Sequence, residues 1–579
     1  MNQLITEEGR KVDLEHPLQE HPNPELRRDA YASLNGFWDF SLSDSSDTAS
    51  VNYDKKVVVP FAIETYLSQI QQTNIEGKYL HYKKVFDCPS SIDKEHVALH
   101  FEAVDCVCDV YLNGVHLGHH EGGYIPFHFS DLTLLEKGNV LLLVVKDDTD
   151  GRYPCGKQSK KPGGIWYTPT SGVWGSVWLE NVPANHVKDL VYEFDEKAKI
   201  CNVFLKSTGE KKRYSIEIYY QGELVQKADF VNGKARLDLS SNFHLWDVDH
   251  PNLYDVKVAG EEDTVYSYFG FRTISKVEVN GFLYPALNGK PIFLSGPLDQ
   301  GYYPESGLTP PSDQAMIDDI LRTKAFGFNV IRKHIKIEPR RWYYHCDRLG
   351  MLVMQDFMNI GAPYSQYLIV TGPFITRHWD DKKESAKRRL HGDDKFAQQQ
   401  FLSCMEESVA LLRRHPCIVA WTIFNEGWGQ FDSENTYAKL IQLDASRLVD
   451  VNSGWIEQGI GDFYSRHIYF RKARLKNDHK RILSLSEFGG YTLQVMGHSM
   501  KEKQFGYKKN KDSKQLEEAL IKLYKDQIIP LKKVGLAVAI YTQITDAEEE
   551  VNGLWTYDRE VCKVEPSLLA ELNKELKEV

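Results

Sequence analysis

The chain has 579 residues, with 70 Lys plus Arg against 81 Asp plus Glu and a net charge of −11, which makes it too long for one core and too acidic for a nucleic-acid or anionic-membrane partner. Apolar residues at 42% and charged residues at 26% are ordinary globular values, so wholesale disorder is excluded. No apolar run approaches the ~20 residues of a membrane span, and Met1 to Glu8 shows neither a basic nor an apolar leader region, so the expected location is the cytoplasm.

Nine cysteines are scattered from Cys88 to Cys562 without a Cys-x-x-Cys. Cys106 and Cys108 would share one side of a strand, as small apolar residues do. A reduced protein is the simpler reading.

Residues 1–183 read as all-β. Short apolar runs (Val57 to Pro60, Val97 to Phe101, Cys108 to Leu112, Val140 to Lys146, Ser176 to Glu180) alternate with Gly, Asn, Asp and Pro, the pattern of a sandwich or jelly roll. Asn113-Gly114 predicts a type I′ hairpin turn. Residues 184–275 continue in β style (Tyr214 to Tyr220, Tyr254 to Val258, Val265 to Phe269) and have the size of an immunoglobulin-like β-sandwich. From 276 to 579 strand and helix alternate. Candidate strands are Ile292 to Leu294, Asn329 to Arg332, Leu352 to Gln355, Val419 to Asn425, Arg481 to Ser486 and Leu536 to Thr542. Candidate helices are Asp313 to Phe326, Pro339 to Leu349, Lys395 to Arg414 and Ser513 to Val534. Apolar strands without alternation are buried on both faces, and about 300 residues of this pattern predict a C-terminal (β/α)8 TIM barrel. Two of its eight strands are not placed by pattern.

Chemistry in such barrels sits where strands end. Ile418 to Phe424 runs into Asn425-Glu426-Gly427-Trp428-Gly429, and Arg481 to Ser486 runs into Glu487-Phe488-Gly489-Gly490. Two carboxyls about 5–5.5 Å apart serve a retaining glycosidase as nucleophile and acid/base. On position alone, Glu426 and Glu487 read equally well as rim glutamates in salt bridges.

The wording around them decides between these readings. His21-Pro22-Asn23-Pro24, Leu34-Asn35-Gly36-Phe37-Trp38, Val110-Tyr111-Leu112-Asn113-Gly114, Glu121-Gly122-Gly123-Tyr124-Ile125-Pro126-Phe127, Ser171-Gly172-Val173-Trp174-Gly175, Tyr268-Phe269-Gly270-Phe271-Arg272 and Leu287-Asn288-Gly289-Lys290-Pro291 together resemble glycoside hydrolase family 2, over nearly the whole chain. The resemblance implies an exo-acting retaining glycosidase on a glycoside or oligosaccharide, with a homo-oligomer among the expected assemblies. No Gly-rich phosphate loop or metal-spaced His/Cys cluster appears, so no cofactor or catalytic metal is expected. The resemblance also implies Glu426 as acid/base, Glu487 as nucleophile and Asn425 as the partner of the sugar 2-hydroxyl. Further sugar-site candidates are Asp299, Arg332, Trp428, His467 and Tyr469. Arg332 would also hold Glu487 ionised. His334 departs from the family's spacing by one residue, and Tyr541 stands where many relatives carry a tryptophan platform.

Asp546, Glu548, Glu549, Glu550 and Asp558 read as a solvated acidic loop, and the lysine-rich run 508–514 as a solvated basic one. The Asn-x-Lys motif of the family's glucuronidases is absent after Glu487, so β-galactosides are the expected substrates. A β-D-galactofuranosidase or α-L-arabinofuranosidase is the alternative, a β-glucuronidase less so, and a carbohydrate-binding protein without activity is the non-enzyme reading.

Overall fold

The computed structural model describes residues 3–208, 213–365, 368, 379–469 and 471–578. Its first 181 residues form two main antiparallel sheets. Six strands lie in the order Lys55–Val59, Gly36–Ser43, Tyr79–Phe86, Asn139–Lys146, Val107–Leu112, Val115–Glu121; four more lie in the order Tyr31–Ser33, Val177–Asn181, Val97–Phe101, Phe127–Leu132. Inward residues of both, such as Trp38, Leu80, Leu99, Phe101, Val110 and Leu143, form one buried cluster. Asn113 and Gly114 make the predicted turn, both with positive φ (51° and 82°), as a type I′ hairpin requires. A second unit pairs a three-stranded sheet (Val187–Asp195, Ile200–Ser207, Lys234–Asp238) with a four-stranded one (Glu223–Asp229, Ser215–Tyr220, Tyr254–Ala259, Thr264–Phe269) over its own core.

The remainder is an eight-stranded parallel barrel. Its strands are β1 (Leu294–Asp299), β2 (Val330–Lys333), β3 (Leu352–Asp356), β4 (Ile418–Asn425), β5 (Leu448–Ser453), β6 (Phe463–Ile468), β7 (Ile482–Gly489) and β8 (Leu536–Thr542). Hydrogen-bonded order runs β5-β4-β3-β2-β1-β8-β7-β6. The β5–β6 seam is closed largely by side chains: the Asp462 carboxylate accepts the Val449 N–H at 2.8 Å, and Ser465 Oγ donates to Asp450 at 2.5 Å. These are the two strands the pattern did not place. Their sequences, Leu-Val-Asp-Val-Asn-Ser and Phe-Tyr-Ser-Arg-His-Ile, are too polar to read as buried strands.

Outside the barrel pack α1 (Asp313–Ala325), α2 (Arg340–Leu349), α3 (Glu384–Arg389), α4 (Lys395–Leu412), α5 (Ser433–Leu443), α6 (Ser513–Leu523) and α7 (Pro566–Lys577). The helix expected to run to Val534 loses α geometry after Leu523, passing through a π turn and a 3-10 segment that contains Pro530, whose missing N–H breaks the α ladder.

All three parts meet at His415. Its Nε2 lies 2.7 Å from Glu25 and its Nδ1 2.7 Å from Asp347 of α2, while Tyr268 of the second unit donates its hydroxyl to Asp347 at 2.8 Å. Burial alone would discharge the imidazole, but the two carboxylates raise its pKa to about 9. The first unit also covers the barrel mouth. Gly164 N–H donates to Glu549 (2.9 Å), Thr168 N–H to Glu548 (2.6 Å) and the Tyr167 hydroxyl to Glu550. The acidic run is therefore not the solvated loop its composition suggests. All three glutamates are buried, because two backbone N–H groups and the Tyr167 hydroxyl from far away in sequence, together with Lys501, replace water.

Candidate active site

At the C-terminal rim of the barrel, Arg332 at the end of β2 is fully buried and organises its surroundings. Its Nε and Nη2 grip Asp356, at the end of β3, at 3.0 Å each. Nη2 also donates to Asn425 Oδ1 (2.8 Å), and Nη1 to Glu487 Oε1 and the Ser486 carbonyl (3.1 Å each). One guanidinium thus fixes the ends of four strands, a task for which its planar fork is suited and a lysine is not.

The two glutamates share this rim but differ in electrostatics. Glu487 is buried, which works against its charge. His467, Arg332 and the donated Tyr469 hydroxyl nevertheless hold its pKa down to about 2, so it is a carboxylate at any ordinary pH. Glu426 follows Asn425 in left-handed backbone (φ 52°), an unusual conformation for a non-glycine residue. Burial pushes its pKa up, and the 2.7 Å contact from Oε1 to His467 Nδ1 offsets this in part. One oxygen of each carboxylate and a nitrogen of His467 all lie within 4.8 Å of one another. These atoms are engaged by protein groups: Glu487 accepts from Arg332 and Tyr469, and Ser453 Oγ meets His467 Nε2 at 3.1 Å.

Of the expected sugar-site residues, the structure brings Arg332, His334, Asn425, Trp428, His467 and Tyr469 together around the pair. His334 is buried rather than on the surface. Its Nδ1 is held by Asp356 at 2.7 Å, and burial lowers its pKa to about 4, leaving a neutral ring with Nε2 free to meet a ligand. Trp428 stacks on Tyr364 (ring centroids 5.8 Å apart, 19° between planes) beside Trp166 and His334. Asn425 Nδ2 and Trp428 Nε1 are buried donors without a partner among the described residues. Buried donors of this kind await a ligand or water.

Two expectations fail. Asp299 is in register with Lys333, one residue past the inward Arg332, and therefore faces the helix layer. Its carboxylate is taken by Lys333 Nζ (2.5 Å) and the Gly301 N–H (2.9 Å); Lys333 in turn sits 4.3 Å over the Trp342 ring of α2. Tyr541 also points outward. It pairs in register with Phe488 and packs against it, and Phe488 in turn meets Tyr524, beyond α6, so Tyr541 offers no face to a sugar. Residues the sequence reading missed include Asp356, a strand-end carboxylate like the glutamates and readable by the same rule, and Tyr507, stacked on Tyr469 at 4.1 Å. Lys157, discussed below, carried no local signal.

Three family models match the chain. They are the glycosyl hydrolases family 2 TIM barrel domain over residues 277–556, the glycosyl hydrolase 2 galactose-binding domain-like model over 60–172, and a glycosyl hydrolases family 2 model over 185–272. The chain belongs to glycoside hydrolase family 2. A beta-galactosidase of Thermoanaerobacter pseudethanolicus is 25% identical over 445 residues, 72% of this chain and 54% of that protein. A putative beta-glucuronidase of Formosa agariphila is 26% identical over 373 residues, 61% and 40% respectively. This family 2 chain spans about half the length of the curated relatives it matches. A beta-glucuronidase structure from Ruminococcus gnavus superposes with a TM-score of 0.73 at 17% identity, covering 96% of this chain and 99% of that one. That likeness is one of fold. No helix among the described residues is long and apolar enough to cross a membrane.

Proposed function

We propose that this protein is a retaining, exo-acting glycosidase that releases a terminal sugar by double displacement, with β-galactosides as its substrates. Glu487 attacks the anomeric carbon while Glu426 protonates the departing oxygen; Glu426 then deprotonates the water that hydrolyses the glycosyl-enzyme. The observation that carries this reading is the pair itself. Two carboxylate oxygens within 4.8 Å suit the ~5–5.5 Å spacing of a retaining pair better than the ~6.5–9.5 Å of an inverting one. Their opposite pKa displacements match one acid and one nucleophile. The unpaired Asn425 Nδ2 is available to a sugar 2-hydroxyl, a contact that strengthens toward an oxocarbenium-like transition state.

The choice of sugar rests on the relatives named beta-galactosidase and on the absent Asn-x-Lys motif. Asn510 spends its side-chain amide on the Thr492 and Lys508 carbonyls, and Lys511 is exposed. Proton NMR of the first-formed sugar from an aryl β-galactoside tests the mechanism: the anomeric configuration is retained, and an inverted product overturns the assignment. A hydrolysis panel of pyranosides, furanosides and glucuronides tests the sugar.

A further inference from the structure

The segment 151–171 of the first unit lies across the barrel mouth and carries one cation into it. Gly156, at φ 66°, passes so close to the Ile335 carbonyl that a Cβ there would lie 2.7 Å from it. This sets the following residue, Lys157, beside the β2 loop that holds His334. Its carbonyl accepts the Tyr167 N–H at 2.9 Å, so the backbone is fixed. The side chain is 94% buried (6% exposed). Its ammonium lies 5.9 Å from the Trp428 ring centroid and 5.6 Å from that of Tyr167. Among the described residues the nearest carboxylate oxygen is Glu550 Oε2, 4.0 Å away, and that glutamate already accepts from Tyr167 and Asn552. No described residue accepts a hydrogen bond from the ammonium. A buried cation with three undonated protons is costly unless something accepts them. The charge is felt inside the pocket, since it contributes to lowering the pKa of both Glu426 and His334.

We propose that Lys157 is a specificity-determining residue of the catalytic pocket, supplied by the first unit, that donates to an oxygen of the sugar being cleaved. This rests on the glycosidase reading above. The acceptor chemistry is an oxygen, either a ring hydroxyl or a carboxylate. It lies where the ammonium, Trp428 and Tyr167 meet.

The test is Michaelis kinetics of wild type, Lys157→Met and Lys157→Gln on an aryl β-galactoside and an aryl β-glucuronide, with thermal melts of each. Both variants should lose at least thirtyfold in kcat/KM on the sugar that wild type prefers, mostly through KM, with melting points near wild type. The alkaline limb of the pH–rate profile should also move upward, because a cation that favours ionised Glu426 has gone; that shift reports the charge, and the KM and product-binding losses report the contact with the sugar. A larger loss on the glucuronide identifies the acceptor as a carboxylate, and equal losses identify a hydroxyl. In a Glu487→Gln background, calorimetry should show the product sugar binding at least tenfold more weakly once Lys157 is replaced. Values of kcat/KM within threefold of wild type on both sugars, with an unmoved limb, overturn the proposal. Wild type inert towards every glycoside would instead overturn the glycosidase reading, so the two failures are distinct.

Discussion

His467 Nδ1 stands 2.7 Å from Glu426 Oε1 while its Nε2 stands 3.6 Å from Glu487 Oε1. On the proposed mechanism the imidazole therefore touches the group that must hold a proton and faces the one that must not. Together with Arg332, it lets two acidic side chains share a buried rim without both carrying full, unscreened charge.

Replacing Glu487 by Ala is predicted to abolish turnover in a folded protein, with a loss of at least ~10⁴-fold, or ~5 kcal/mol of transition-state stabilisation. Steady-state kinetics beside a circular dichroism melt measures this. Wild-type-like rates would remove Glu487 from the nucleophile's role.

Glu426→Ala should discriminate between leaving groups. A dinitrophenyl glycoside needs little protonation, so its first step suffers far less than that of an alkyl glycoside. Added azide should restore rate by attacking the glycosyl-enzyme, yielding a β-glycosyl azide. If the two leaving groups lose equally and azide has no effect, another residue is the acid/base.

The pH–rate profile follows from the same pair. Glu487 must be ionised, and its pKa near 2 puts its limb at the acid extreme. Glu426 must be protonated, and its pKa is raised, so activity persists to higher pH than an ordinary glutamic acid allows and falls as pH rises through that value. The alkaline limb of kcat/KM should vanish in Glu426→Ala assayed with the dinitrophenyl substrate.

Arg332→Met is predicted to cost ~3–5 kcal/mol of stability, because Asp356 is left as a buried charge without its cation, together with most activity. Urea denaturation reads the first effect. The double variant Arg332→Met/Asp356→Leu should recover stability but not turnover, which separates the structural part of this residue from the catalytic one.

A second stability prediction concerns His415. A group with its folded pKa raised to about 9 from an unfolded ~6.5 contributes fully below pH ~6.5, and its contribution is lost as pH rises through 9. The amount is on the order of 3 kcal/mol. Melting temperature should therefore decline between pH 6.5 and 9.5 in wild type, and this slope should flatten in His415→Gln.

Much of the fold was legible because six barrel strands are apolar runs, four of which end in residues of the candidate site (Arg332, Asp356, Asn425 and Glu487), and because turns such as Asn113-Gly114 are local. β5 and β6 were not legible: Asp450 and Ser465 pair across the seam, His467 meets Ser453 and Glu426, Asn452 is held by Ser433, and no periodicity reveals a partner on another element. The glutamates, Asn425 and Arg332 could be found from strand ends and family wording. Asp299 and Tyr541 misled for one reason: successive strand residues face opposite sides, and the position of a strand's end does not tell which of its last residues turns inward. Lys157 was invisible because its meaning lies wholly in tertiary contact.

Donors to Glu548, Glu549 and Glu550 lie 380–385 residues earlier in the chain, and this bears on how such a chain can be rearranged. Its barrel is not an interchangeable part. Cut away from the first unit, it would present three adjacent carboxylates to the mouth of its own pocket without two backbone N–H donors and the Tyr167 hydroxyl. Grafted onto another sandwich, it would need a segment ending in free N–H groups at the same spots. Shuffling genes at the seam between units would therefore scramble the entrance before it touched the chemistry.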